Sequence, residues 1–340
     1  MRLTRMLVAA LLLGLVAGGS ALGQGIEKKE ITIAVGGKVA LYYLPLTIAE
    51  AKGYFKDAGL DARVLDFKGG SQSVQAVVGG SADILSSAFE HTINIQARGQ
   101  ELTAFVLQGR YPGFALSLAT GIADKYKSPA DLKGLKIGVT APGSSTHAMV
   151  KLLLTKVGLK DDDIAVIGVG AGASVLAAIE QKHVDGVVQA DPATTLLTSR
   201  GLAVVKVDTR TAEGTTEVYG GPMPAASISA LGSFISQNPN TVQAVTNAMV
   251  RALHFLNTAS DAEILAAIPP EMLLGGDEAL YLKLVKAVRP SYSPDGLISK
   301  EAAETALKVL QDSNPAVRDA KIDLAKTYTN KFVQAVPKQM

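Results

Sequence analysis

From residue 31 to residue 85 the chain alternates short apolar runs with amphipathic stretches. Residues 31–35 and 62–67 read as strands, and residues 83–85 open a third. Between them, residues 46–58 and 71–78 have helical spacing and stop at Gly59 and at Gly79-Gly80, in keeping with glycine as a helix terminator. Residues 89–98 then read as a helix and 103–107 as a fourth strand. Strands separated by helices of this length indicate crossover units and a parallel sheet. In such a sheet ligands bind beyond the carboxyl ends of the strands, so the turns there are the first candidates for a site.

The pattern restarts after an apolar strand at 114–119. Strands are expected at 135–139, 164–169, 185–188 and 203–207, with helices at 144–157, 173–181 and 193–199. Gly70, Val74, Ala76, Val77 and Asp83 lie 102 residues before Gly172, Leu176, Ala178, Ile179 and Asp185. Both blocks read as a glycine-rich turn, a helix, then an aspartate opening the next strand. They predict two similarly built α/β lobes, each a mainly parallel sheet flanked by helices. A lone strand at 222–230 ends the second block. The helices expected at 239–257, 261–267, 277–288 and 300–311 cannot form a domain alone and should pack on the first lobe. The chain then crosses between lobes twice, near Leu116 and near Ala226. The expected division is residues 24–115 with 225–340 for lobe I and 116–224 for lobe II, with two crossover strands as a hinge and a cleft between the lobes.

Composition refines this picture. With 340 residues, 48% hydrophobic and 19% charged, the chain is globular in character. Arg2 and Arg5 precede an apolar run over 6–17, and Ala21-Leu22-Gly23 precedes Gln24. This is the pattern of a signal peptide, residues 1–23, cleaved near Gly23. The apolar part is shorter than the roughly 20 residues of a membrane span. Two of the 33 basic residues and none of the 31 acidic ones lie in that segment, which leaves 31 of each. The balance gives no reason to expect a nucleic-acid partner. The absence of cysteine excludes disulfides, thiolate metal sites and a cysteine nucleophile. An exported chain of this kind suits the periplasm.

Several segments resemble one family. Tyr43-Leu44-Pro45-Leu46, Ala51-Lys52-Gly53-Tyr54-Phe55 and Gly59-Leu60 look like the opening of solute-binding proteins of the nitrate, sulfonate and taurine transporter group. Gly80-Ser81-Ala82-Asp83-Ile84, Ser128-Pro129-Ala130-Asp131-Leu132-Lys133-Gly134 with Leu135-Lys136-Ile137-Gly138-Val139, and His183-Val184-Asp185-Gly186-Val187 are similar to further motifs of that group. The resemblance implies a type II periplasmic binding protein, monomeric, that closes on a small molecule and delivers it to an ABC permease. It implies no reaction and no cofactor.

The candidate contacts follow from the turns. Ser144, Ser145 and Thr146 stand at a helix start, where N–H groups and hydroxyls hold an anion; simple N-capping uses the same donors. Ser71 follows Lys68-Gly69-Gly70, whose glycines let a ligand approach the backbone. Ser87 and Ala88 follow the third strand as a turn and, by the resemblance, as a floor for the ligand; an ordinary turn is the alternative. Tyr43 reads as core or as ligand platform, and the family motif favours contact. Tyr219 precedes the return strand and is placed to close the cleft. Asp191, before Pro192, reads either as a helix cap or as a carboxylate for a ligand amine or hydroxyl. Glu90 reads as complementing a helix dipole. Asp161, Asp162 and Asp163 lack the spacing of a calcium loop. His91, His147, His183 and His254 show no zinc-type pairing, and only His147 draws attention by its place beside Thr146.

The expected ligand is a small anion, such as a sulfonate, a carboxylate or nitrate. The lack of tryptophan speaks against the aromatic box of a pyrimidine or quaternary-amine binder. Two other functions compete. One is an enzyme on the same fold, similar to pyrimidine-precursor synthases; that resemblance implies a cysteine-rich motif, which this chain lacks, and a lysine-bound cofactor. The other is a ligand-sensing domain, for which no DNA-binding helix pair or second membrane span is visible.

Overall fold

The computed structural model describes residues 25–273 and 276–337. The expected signal peptide and its cleavage point lie outside the described residues. In chain order the strands are β1 (Glu30–Gly36), β2 (Asp61–Phe67), β3 (Ile84–Ala88), β4 (Leu102–Leu107), β5 (Phe114–Ala119), β6 (Lys136–Val139), β7 (Ala165–Gly168), β8 (Gly186–Ala190), β9 (Ala203–Asp208) and β10 (Ala226–Leu231). The helices of the first half are α1 (Leu44–Ala51), α2 (Tyr54–Asp57), α3 (Gly70–Val78), α4 (Glu90–Gln96), α5 (Thr120–Ala123), α6 (Ser145–Thr155) and α7 (Ala173–Glu180). Then come α8 (Ala193–Ser199), α9 (Ala212–Tyr219), α10 (Gly232–Gln237), α11 (Pro239–Thr258), α12 (Asp261–Ala267), α13 (Glu278–Val288), α14 (Lys300–Ser313), α15 (Pro315–Arg318) and α16 (Lys331–Gln334).

Two five-stranded sheets form, in the orders β2-β1-β3-β10-β4 and β7-β6-β8-β5-β9. The first strand of each block, β1 or β6, runs parallel to both neighbours. The strand that has crossed from the other half, β10 or β5, runs antiparallel to both of its neighbours. The two sheets are therefore one topology used twice, as in a type II periplasmic binding protein. Ile33, Ala34 and Val35 of β1 are fully buried, because helices cover both faces of the sheet.

The 102-residue echo has a physical cause. Asp83 Oδ2 accepts the Thr32 N–H at 3.0 Å while the Asp83 N–H donates to the Thr32 carbonyl at 2.9 Å. Asp185 makes the same clasp on Lys136, with both distances 2.8 Å. Each aspartate pins the start of its lobe's first strand to the start of the third. It satisfies an N–H that lies before pairing with the third strand begins.

Some expectations are corrected. The single helix over 46–58 is two helices, α1 and α2, separated at Gly53, whose φ is +70°. Ser86, Ser87 and Ala88 are not a turn but the end of β3, paired with Ile228, Ser227 and Ala226 of β10. Small hydroxyl residues read locally as turn formers; a partner strand some 140 residues away overrides that preference. Helix α9 is polar and gives no apolar stripe; the Thr211 side chain caps it by accepting the Gly214 N–H at 3.1 Å.

The C-terminal helices also divide differently. Helix α11 carries Val242, Val245, Met249, Leu253 and Leu256 on one stripe, and these join the core of the first lobe with Ile264, Leu284, Val285 and Phe332. Helix α14 instead lies against both α4 and α6. Its Ala303, Ala306 and Leu310 pack with Phe89 and Ile93 of the first lobe, while Val309 joins the core of the second. The tail thus packs on the first lobe except for α14, which spans both.

If the aspartate clasps hold the two sheets in register, Asp185→Ala should cost about 0.5–1.5 kcal/mol, the net value of the hydrogen bond from the Lys136 N–H. A urea denaturation midpoint unchanged from the parent would contradict this role.

Candidate functional site

The carboxyl ends of the parallel strands of both sheets face one another, and the chain there is close-packed. The Leu41 N–H donates to the Asp191 carbonyl at 2.8 Å. The Ser71 N–H donates to Ser144 Oγ at 3.0 Å, and the Ser71 hydroxyl donates to the Pro142 carbonyl at 2.9 Å. The Tyr42 ring stacks on Phe114 with centroids 5.1 Å apart. At Gly69 a Cβ would fall 2.8 Å from Ala141 Cβ and 2.9 Å from Ser144 Oγ, so only glycine permits this approach of the lobes.

Inside this contact lies a cavity walled by Tyr42, Tyr43, Gly70, Phe114, Ser145 and Thr146. It measures about 20 Å³, room for roughly one water. Any larger guest requires the lobes to part. Helices α3 and α6 begin at its wall; neither is capped by its own N-cap side chain, and Ser144 Oγ takes the Ser71 N–H of α3. The first-turn N–H groups of Gly70, Ser145 and Thr146 can therefore donate to a group held in the cavity, and both helix dipoles favour a negative one. A wider groove of about 590 Å³ opens beside the cavity, between Gly37, Asp66 and Lys68 on one side and Gly170, Ser174 and His183 on the other.

The buried polar atoms of the first lobe that lack hydrogen-bond partners include Tyr42 Oη, Ser87 Oγ, Glu90 Oε1 and His91 Nε2. Tyr42 lines the cavity, and Ser87 and His91 lie against Gly70 on its wall. A Cβ on Gly70 would lie 2.8 Å from Ser87 Oγ and 3.1 Å from His91 Nε2. The Tyr43 hydroxyl approaches Ser87 without hydrogen-bond geometry, and burial holds its pKa well above the ordinary tyrosine value. Burial, and then the carboxylate of Glu90, does the same to Tyr219. Burial pushes Glu90 up to about 7 and, with Arg98 adding to it, His91 down to about 4. Unsatisfied buried polar groups are costly and uncommon.

The sequence candidates sort clearly against this geometry. Tyr43, Ser145 and Thr146 line the cavity. Ser87 lies against Gly70 on that wall, and Ala88 follows it in β3. Ser71 and Ser144 meet each other across the lobes, and the Ser144 hydroxyl is turned to Ser71 rather than capping its own helix. Thr146 Oγ1 is engaged locally by the Thr140 N–H at 3.0 Å. Tyr219 stands at the end of α9 beside Glu90. Asp191 is not available as a ligand carboxylate. Its Oδ1 accepts the Thr195 N–H at 2.9 Å and hydroxyl at 2.7 Å, and its Oδ2 faces Arg210 at 3.3 Å.

Two residues are reversed in importance. His147 is committed, with Nδ1 accepting the Gly143 N–H at 3.0 Å and Nε2 paired with Asp161 at 2.7 Å. Glu90 and His91, which the sequence alone leaves in bland roles, are the unpartnered pair. Their one legible signal is their place directly after a strand of small residues. Tyrosines 42, 43 and 219 with Phe114 also build an aromatic wall without any tryptophan. Among the described residues no group of three or more His, Asp or Glu is placed to hold a metal.

Glu90 and His91 pull stability in opposite directions with pH. Glu90 binds its proton more tightly folded than unfolded, so its contribution is present below about 4.5 and is lost as pH rises through about 7. His91 binds its proton less tightly folded, so its contribution is present above 6.5 and is lost as pH falls through about 4. Glu90→Gln removes the first slope only. Unliganded E90Q should exceed the parent by about 1–3 kcal/mol at pH 8, with the gap closing toward pH 4.5. Denaturation curves at the two pH values read this difference directly.

Comparison with known proteins agrees with the fold. A structure of a protein from Bordetella bronchiseptica RB50 is 49% identical, covers 92% of this chain and 98% of that one, and superposes with a TM-score of 0.88. The alkanesulfonate-binding protein SsuA of Xanthomonas axonopodis pv. citri, solved with MOPS, shares the fold at 20% identity and a TM-score of 0.68, over 89% of this chain and 99% of its own. A 4-amino-5-hydroxymethyl-2-methylpyrimidine phosphate synthase of Saccharomyces cerevisiae is 29% identical over 143 residues, 42% of this chain and 41% of the synthase. The chain thus spans about two-fifths of the length of the curated relatives it matches first. Residues 40–261 match the family model described as NMT1/THI5 like. That is well over half of the chain, and the protein belongs to the NMT1/THI5-like family.

Proposed function

We propose that this protein is the periplasmic substrate-binding component of an ABC importer, acting as a single chain. It captures a small anion, such as a sulfonate, a carboxylate or nitrate, between its lobes and presents the closed form to a membrane permease. Lobe I would comprise residues 24–115 with 225–340 and lobe II residues 116–224, with β5 and β10 as the crossover strands. The observation that carries this reading is the pair of helix starts, α3 and α6, that face one small cavity from opposite lobes with no cap from their own N-cap side chains. An anion there completes the first turns of both helices at once. Its preference for the closed arrangement is what shifts the lobes.

The synthase relatives favour a second reading, an enzyme acting on a pyrimidine precursor. Against it stand the absence of any cysteine and a cavity wall without lysine among the described residues; Lys68 lines the outer groove instead. A cofactor absorbance above 300 nm in purified protein would favour the enzyme.

Thermal denaturation with ethanesulfonate, propionate and nitrate separates the outcomes. A compound at 100 times its dissociation constant adds about 2.7 kcal/mol and should raise the midpoint by several degrees. Gly70→Ala, which places a methyl within about 3 Å of Ser87 and His91, should abolish that rise. A flat response to every sulfonate, carboxylate and nitrate would sink the anion reading.

A further inference from the structure

We propose that His147 is a positioning residue for lobe closure: with Asp161 behind it, it holds the turn from Pro142 to Ser144 in the shape that meets Ser71 of the first lobe. The inference rests on the binding-protein reading, since it concerns how the two lobes come together, and it makes closure sensitive to acid.

The turn between β6 and α6 supplies both acceptors for Ser71. The Pro142 carbonyl accepts the Ser71 hydroxyl at 2.9 Å, and Ser144 Oγ accepts the Ser71 N–H at 3.0 Å. Gly143 lies between these two acceptors with φ +82°, a conformation that side chains rarely adopt. Most of the turn is pinned by groups that do not titrate. The Thr140 N–H donates to Thr146 Oγ1 at 3.0 Å, and the Ser144 N–H donates to the Ala141 carbonyl at 3.0 Å. The Gly143 N–H is the exception, because its acceptor is His147 Nδ1 at 3.0 Å. The residue that sets the direction of both cross-lobe acceptors is thus held by an imidazole one turn into α6.

This hydrogen bond fixes the state of the ring. Nδ1 accepts, so it carries no proton, and Nε2 donates to Asp161 Oδ1 at 2.7 Å. A second proton on the ring would turn Nδ1 into a donor facing the donor of Gly143. The bond would be lost, and the turn would be free to leave the shape that receives Ser71. His147 is buried, and burial holds its pKa below the ordinary histidine value, with Asp161 pulling the other way and Lys151 adding to the fall. Asp161 comes from the turn after α6, and Lys151, one turn along α6, pairs with its other oxygen at 3.3 Å. Neither α14, which packs on α6, nor the first lobe sets a charged side chain against the ring among the described residues. The neutral ring's contribution is therefore fully present above 6.5 and is lost as pH falls through the lower, folded value.

The chain has no cysteine, so a pair introduced at exposed positions on the two lobes, Gln75→Cys in α3 and Thr155→Cys in α6, takes spin labels cleanly. The distance between the labels gives the ratio of closed to open protein, read on the intact chain from pH 7.5 to pH 4.5, alone and with ethanesulfonate, propionate or nitrate. His147→Asn keeps an acceptor where Nδ1 stands and cannot titrate. It should close as the parent does at pH 7.5, and at the acid end it should exceed the parent by about 2- to 10-fold in closed-to-open ratio, the worth of one hydrogen bond. Comparison with H147N also subtracts every other titrating group, Glu90 and His91 included. Asp161→Asn removes the charge that favours the protonated ring, so the parent's fall should move to lower pH. His147→Leu, which offers no acceptor, should close less than the parent at pH 7.5. Should H147L fail to fold, H147N and D161N still decide the matter. Superimposable profiles for the parent and H147N, or a fall that D161N leaves in place or moves to higher pH, would overturn the assignment and leave the binding-protein reading standing. A parent whose label distance never shortens under any of these conditions would remove both.

Discussion

Everything at the site depends on two backbones meeting without side chains between them. At Gly69 there is no room for a Cβ against Ala141 and Ser144 of the other lobe. This lets the start of α3 approach the start of α6 closely enough for the Ser71 N–H to reach Ser144 Oγ. The hydroxyl that ordinarily caps a helix is thereby drawn across the boundary, and α6 is left uncapped. One steric constraint thus produces both the contact between lobes and the free donors inside it.

The scaffold that delivers these ends is a single topology built twice. In each lobe an aspartate ties the start of the first strand to the start of the third. The opposite ends of those strands are then free to aim turns at the other lobe. The antiparallel strands β5 and β10 are the ones that have changed lobes, and each sits beside the strand whose end forms the cavity wall. Helix α14 adds a third link by packing on α4 and α6 together, the helices that carry Glu90 and Ser145. A change in lobe spacing therefore cannot leave the site chemistry undisturbed.

The electrostatics divide along the same boundary. Both lobes supply donors from helix starts, while the first lobe alone supplies a buried acid and a neutral imidazole with no internal partners. Asp191 and Arg210 show the contrast. Asp191 is buried and Arg210 half-buried, but they satisfy each other together with Asp208 and Thr195, and so serve the second lobe rather than the cavity. Burial of a charged group is not a signal of function; burial without a partner is the informative case.

The sequence by itself determined the two-block architecture and the lone return strand, because these rest on local periodicity and on glycines at helix boundaries. The paired aspartates Asp83 and Asp185 were also legible, since a clasp used twice leaves the same residue at the same spacing. Tertiary structure alone decided that Ser86, Ser87 and Ala88 extend a strand, because their partners in β10 are remote in sequence. It alone decided that Asp191 is occupied by Thr195 and Arg210 while Glu90 Oε1 has no partner at all. A side chain's chemistry is local, but whether its hydrogen bonds are already satisfied depends on which distant elements pack against it, and no pattern along the chain records that.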